Sequence, residues 1–214
     1  MQGECSITTL GEHACFGGVQ GYYRHDSEET GTPMKFGMFV PPQAKSAPVP
    51  VLFFLAGLTC SEETFTIKAG AQQHAALHGL MLVTPDTSPR GTGVEGADAA
   101  WDFGTAAGHH LDATAAPWNR HWRMGSYVRR ELRALVLQHF NSREDRVGLC
   151  GHSMGGHDAT ELVKAGTCVP PLLIDQASRS RCAATKAATT ATFSSRPSWP
   201  TTSRTMRACC TPHE

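Results

Sequence analysis

The segment RVGLCGHSMGG, residues 146–156, sets a serine between glycines at the end of a short apolar run. Arg146 to Cys150 reads as a short strand, and Met154 to Ala165 as a segment able to form a helix. Between them, Gly151-His152-Ser153-Met154-Gly155 matches G-x-S-x-G, a sharp strand-to-helix turn that holds a nucleophilic serine in a strained backbone conformation. Gly151 and Gly155 let neighbouring backbone pass without Cβ clashes, and Gly156 widens the opening. The N–H of Met154, at the start of the helix, is expected to face the oxygen that becomes negative when Ser153 attacks a carbonyl. The five-residue pattern is common by itself. Its strand and helix context favours the nucleophile over a serine that merely lines a turn.

Working outward, the chain alternates strands and helices. Pro50 to Ala56 (PVLFFLA) suits a buried parallel strand, Leu80 to Thr84 (LMLVT) is the next strand, and Arg146 to Cys150 is another short one. Ser61 to His78 reads as one helix, opened by Ser61-Glu62-Glu63 and stopped by Gly79. Tyr127 to Phe140 carries Val128, Leu132, Leu135 and Val136 as a helical stripe. Asp86 to Trp101 is a loop punctuated by Gly and Pro. Lys35 to Val40 (KFGMFV) reads as an edge or antiparallel strand. These elements predict an α/β fold, a mostly parallel sheet with helices on both faces. Gly57-Leu58-Thr59 follows the strand ending at Ala56, where a second oxyanion donor, the Leu58 N–H, is expected; an ordinary β-to-α turn fits the spacing equally well.

The chain of 214 residues is long enough for one domain with a sizeable core. Its formal net charge is zero, which argues against a nucleic-acid or membrane partner. No stretch is apolar enough to span a bilayer, and Met1 to Leu10 lacks the basic start and apolar run of a secretory signal. A reducing cytoplasmic setting is therefore expected. The eight cysteines fit it, since most are scattered singly and no Cys-x-x-Cys pair suggests zinc. Cys150, inside the apolar run, reads as a small buried hydrophobe. His109-His110 could suggest a metal, but adjacent loop histidines read more simply as polar surface.

Charge is uneven along the chain. From Ala177 onward there are six basic residues against Glu214 alone, and no Leu, Ile, Val or Gly. Such a stretch is poor in the branched apolar groups that offset the entropy of ordering. The expected organisation is a domain over residues 1–176, incomplete after 157, and an anomalous, disordered tail over 177–214.

Longer motifs carry a family resemblance. CFGGVQ (15–20), MKFGMFVPP (34–42), FLAGLTCSEETF (54–65), TPDTSPRG (84–91), WDFGTAAG (101–108) and GHSMGGH (151–157) run in order. Together they make residues 12–157 resemble the S-formylglutathione hydrolase, or esterase D, family of α/β-hydrolases. The resemblance implies a cytoplasmic serine thioesterase of formaldehyde detoxification, which converts S-formylglutathione and water to glutathione and formate. It implies Ser153 as nucleophile, the N–H groups of Leu58 and Met154 as the oxyanion hole, and Cys60 and Trp101 near the bound glutathione thioester. It implies no metal or organic cofactor and is compatible with a homodimer.

The chain departs from that family after the serine. A serine needs a base to take its proton, and the family supplies an Asp and then a His downstream; neither is found here. Asp158 to Val163 and LLIDQ (172–176) resemble a much later part of the family, so an internal segment is missing between His157 and Asp158. Asp175 matches a strand residue of the family, not the triad Asp. The tail fits an out-of-frame reading of the family's C-terminus, with its His encoded across Thr189 and Thr190. Loss of one triad member costs about four or more orders of magnitude in rate. The alternatives are a carboxylesterase with a rearranged triad, using His213 or another His, and a non-catalytic remnant that keeps a binding pocket.

Overall fold

The computed structural model describes residues 6–164. The tail, LLIDQ, Asp175 and His213 lie outside the described residues. The order of elements is β1 (Thr8–Cys15), β2 (Gly18–Asp26), β3 (Pro33–Val40), β4 (Val49–Leu55), α1 (Glu62–Lys68), α2 (Ala71–His78), β5 (Met81–Pro85), α3 (Met124–Ser126), a π-helical segment (Tyr127–Leu132), α4 (Arg133–His139), β6 (Ser142–Gly151) and α5 (Met154–Lys164). The six strands form one sheet in the order β1-β2-β3-β5-β4-β6.

The expected α/β-hydrolase-type sheet with flanking helices is present, and it is mixed. β4 runs parallel to both β5 and β6. β1, β2 and β3 extend the sheet by antiparallel pairing, and β3 is antiparallel to β5. KFGMFV is thus antiparallel, as expected, but not an edge. It lies between β2 and β5, because the preceding hairpin adds two further strands. That hairpin turns on Phe16 (φ 45°) and Gly17 (φ 77°), the paired positive angles of the tight turn favoured by twisted strands.

β4 shows why helices cover both faces. Val49, Val51, Phe53 and Leu55 are buried in the larger core with Tyr127, Leu132, Leu135, Val136, Ala159 and Leu162 of the helices on that side. The alternate residues point the other way. Leu52 packs with Phe39, Leu82 and Ala75, and Phe54 stacks on Phe65 at 3.7 Å between ring centroids. Both faces being apolar is what a central parallel strand requires.

The helix expected over Ser61 to His78 is two helices. Ser61 caps α1 through a capping box with Thr64, and Glu62 and Glu63 lie in its positive first turn. The chain then breaks at Gly70 (φ 62°) and restarts as α2, which ends on Gly79 (φ 63°). Gly70 and Gly79 are both left-handed, a conformation that glycine adopts without penalty, so the first stops a helix as effectively as the second. The expected Tyr127–Phe140 helix is extended N-terminally by α3 and opens with one π-helical segment, and its apolar stripe is buried as read.

Candidate active site

The end of β4 and the end of β6 build the site together. Adjacent parallel strands deliver Gly57 and Ser153 to the same edge of the sheet. The His152 N–H donates to the Leu55 carbonyl at 3.1 Å and carries the β-ladder into the turn. Ser153 follows at φ 55° and is exposed, and α5 begins at the next residue. The glycine pattern has a physical cause here. A Cβ on Gly155 would fall onto the Leu55 and Ala56 carbonyls, and one on Gly151 onto the Gly155 carbonyl. A Cβ on Gly57 would lie 3.3 Å from Ser153 Cβ, which puts the backbone of the two loops in contact.

Two backbone donors are unspent at this junction. Among the turn and loop hydrogen bonds of the described residues, no carbonyl accepts from Leu58 N–H or Met154 N–H. Leu58 is half-buried and Met154 is buried. The loop that presents Leu58 is braced from three directions. Thr59 (φ 65°) donates its N–H to Ala106 O at 2.9 Å. Thr87 Oγ1 donates to Cys60 O at 2.6 Å, and Arg90 Nη2 reaches the same oxygen at 3.3 Å. Arg90 is itself held by a fork on buried Asp86, with Nε to Oδ2 at 2.6 Å and Nη2 to Oδ1 at 2.7 Å. Ala106 is fixed in turn by its N–H to Ser88 Oγ at 2.8 Å.

These braces explain TPDTSPRG and the end of WDFGTAAG, which the sequence singled out without assigning a role. Asp86, Thr87, Ser88 and Arg90 supply the side chains, and Ala106 supplies a carbonyl. The remaining expected residues are less tightly tied to Ser153. Cys60 is a half-buried free thiol, and Trp101 is 71 % exposed on its loop. Cys150 is buried as read, and burial pushes its thiol up to about 12.

Histidines cluster nearby, but no hydrogen bond joins one to the Ser153 hydroxyl among the described residues. The reading of His109-His110 as polar surface is corrected for His110, which is fully buried. Its N–H and Nδ1 both donate to Asp158 Oδ2, at 2.8 and 2.9 Å. His109 Nδ1 donates to Asp158 Oδ1 at 2.8 Å, and its ring remains half-exposed. Burial works to raise the Asp158 carboxyl. The hydrogen bonds from His110 and His109 outweigh it and hold the group below the usual carboxylate range.

A strand, a left-handed serine and a helix, set beside a glycine turn from the neighbouring parallel strand, define the serine-esterase class of α/β-hydrolase. The Esterase family model (described as "Putative esterase") matches residues 27–163, and the chain belongs to that family. The chain is 49 % identical over 153 residues to S-formylglutathione hydrolase of Rattus norvegicus, covering 72 % of this chain and 54 % of the relative. It is 51 % identical over 154 residues to that of Paracoccus denitrificans, covering 72 % and 55 %. The solved S-formylglutathione hydrolase of Agrobacterium tumefaciens superposes with a TM-score of 0.73 at 40 % identity, over 78 % of this chain and 59 % of that one. The chain thus spans about half the length of the curated relatives it matches. A ferulic acid esterase of Anaeromyces mucronatus, at 15 % identity and TM-score 0.54, shares the fold.

Proposed function

We propose that the chain is a serine thioesterase of S-formylglutathione type whose catalytic power is curtailed after the nucleophile. The supporting observation is the junction itself: Ser153 at φ 55° against Gly57, with the Leu58 and Met154 N–H groups given no carbonyl partner among the described residues. Ser153 Oγ attacks the formyl carbon as its proton passes to water, and the oxygen that becomes negative is received by those two N–H groups. Collapse of the adduct breaks the C–S bond and releases the glutathione thiolate. Water then attacks the formyl-serine ester and releases formate. A thiolate leaves without needing a proton, so the step most in need of a base is removal of the serine proton. The described residues offer no His bonded to Ser153, and this is the step that limits the rate. Cys60 and Trp101 belong to the glutathione side of the site, and the setting is cytoplasmic. No helix of the described residues is long and apolar enough to cross a membrane.

The test is turnover of S-formylglutathione by the full chain and by Ser153→Ala, with labelling by a fluorophosphonate. Expected is slow, Ser153-dependent hydrolysis that favours the thioester over a short aryl ester. Its rate should lie about four or more orders of magnitude below that of an intact triad enzyme. Equal rates in the two proteins would sink the nucleophile assignment. Preference for the aryl ester would move the reading to a carboxylesterase. Absence of labelling with retained thioester binding would leave a non-catalytic binding protein.

A further inference from the structure

Asp158 brings together two segments that are far apart in the chain, the His109-His110 loop and the second turn of the helix that follows Ser153. One ligand atom each from His109, His157 and Asp158 lies within 4.8 Å of the others. Asp158 Oδ1 stands 2.8 Å from His109 Nδ1 and 3.6 Å from His157 Nδ1. Bonds of about 2.0–2.1 Å in a tetrahedral zinc site place neighbouring ligand atoms about 3.3 Å apart. The two distances bracket that value.

We propose that His109, His157 and Asp158 form a binding site for one borderline divalent cation of the Zn2+ type. The ligand set is two imidazoles and one carboxylate, which suits zinc and its neighbours better than calcium or magnesium. The anchor is rigid, because Asp158 is fully buried and its other oxygen is taken by the His110 N–H and the His110 Nδ1. Such outer bonds orient a ligating carboxylate and leave Oδ1 for the ion. The two histidines are the adjustable arms, with side chains 53 % and 64 % exposed. Three protein ligands leave the fourth position to water or to an atom of a bound molecule. On binding, the ion takes the place of the hydrogen in the His109–Asp158 hydrogen bond, and that proton moves to His109 Nε2. The complex ties the 104–110 loop, which already carries the Ala106 brace, to the helix that starts beside Ser153.

The experiment is calorimetric titration of the full-length chain with ZnCl2 under a phosphine reductant, repeated on His109→Ala, His157→Ala and the double variant. Both side chains are at the surface, so circular dichroism should report an unchanged fold. Expected are one saturable site per chain and a thermal midpoint that rises with zinc concentration. Each single variant should weaken binding at least about tenfold, and the double variant should abolish it. Unchanged affinity in the double variant would mean that thiols or other histidines hold the ion, and would overturn the proposal. So would the lack of any saturable site in the parent chain.

Discussion

Ser153 sits in a conformation that costs a residue with a Cβ about 1–2 kcal/mol, through crowding of that carbon against its own carbonyl. The turn leaves the hydroxyl exposed at the end of the strand. Ser153→Gly should therefore raise unfolding free energy by about 0.5–1 kcal/mol, after allowing for the greater chain entropy of glycine. Ser153→Ala keeps the Cβ and should change stability little. Urea unfolding of the three proteins decides this, and a glycine variant less stable than the alanine variant would refute the strain. At this scale the left-handed turn at Ser153 was legible because G-x-S-x-G encodes its own geometry. The Asp158 cluster was not, since its partners lie 48 and 49 residues away and only the fold brings them together.

Among the elements, the glycine loop after β4 depends on the loop after β5. Asp86 and Arg90 form a nearly planar fork, and Arg90 and Thr87 both end on the Cys60 carbonyl. Lysine cannot reproduce a two-pronged bond to a carboxylate. Arg90→Lys is expected to lower stability by about 1 kcal/mol and to speed amide hydrogen exchange at Thr59 and Cys60 more than elsewhere. Uniform acceleration across the sheet would show that the fork serves only general stability. β4 and β5 were legible because burial makes them short apolar runs, whereas β6 is buried only at Cys150. β1 and β2 were not, since β1 is mostly exposed on both faces and carries no alternation to read. The break at Gly70 was missed for a related reason. Nothing local distinguishes a glycine that stops a helix from one tolerated within it, other than the left-handed angle that the structure records.

For the molecule as a whole, the two ends of the sheet differ. β1 closes one end as part of a tight hairpin. At the other, β6 pairs with β4 alone among the described residues, and its second half, Val147 to Cys150, has no charge. An uncharged strand edge is a template for pairing with another chain. The expected outcome is concentration-dependent, polydisperse self-association in sedimentation velocity, with a broad thermal transition. A uniform monomer or discrete dimer with a sharp transition would count against it.

Stability should also depend on pH through His25, which joins the hairpin to the helix behind the sheet. Its buried ring stacks on Tyr127 at 5.6 Å, and Nε2 lies 3.1 Å from the Tyr127 hydroxyl. Burial lowers its pKa, and the opposing pull of Glu131, 3.9 Å away, and of Asp26 does not make up the difference. The sign follows from linkage. Above the unfolded value of about 6.5, both states are neutral at His25 and it adds no pH dependence. As pH falls below that value, the unfolded chain takes up the proton first, so stability declines until the folded ring is also protonated. The informative quantity is the difference between the parent and His25→Gln. The variant should be less stable at pH 8, through loss of the ring stack, and should lose less stability than the parent between pH 7 and 5. Denaturant midpoints across that range measure it, and parallel curves would mean that His25 takes up its proton equally readily in both states.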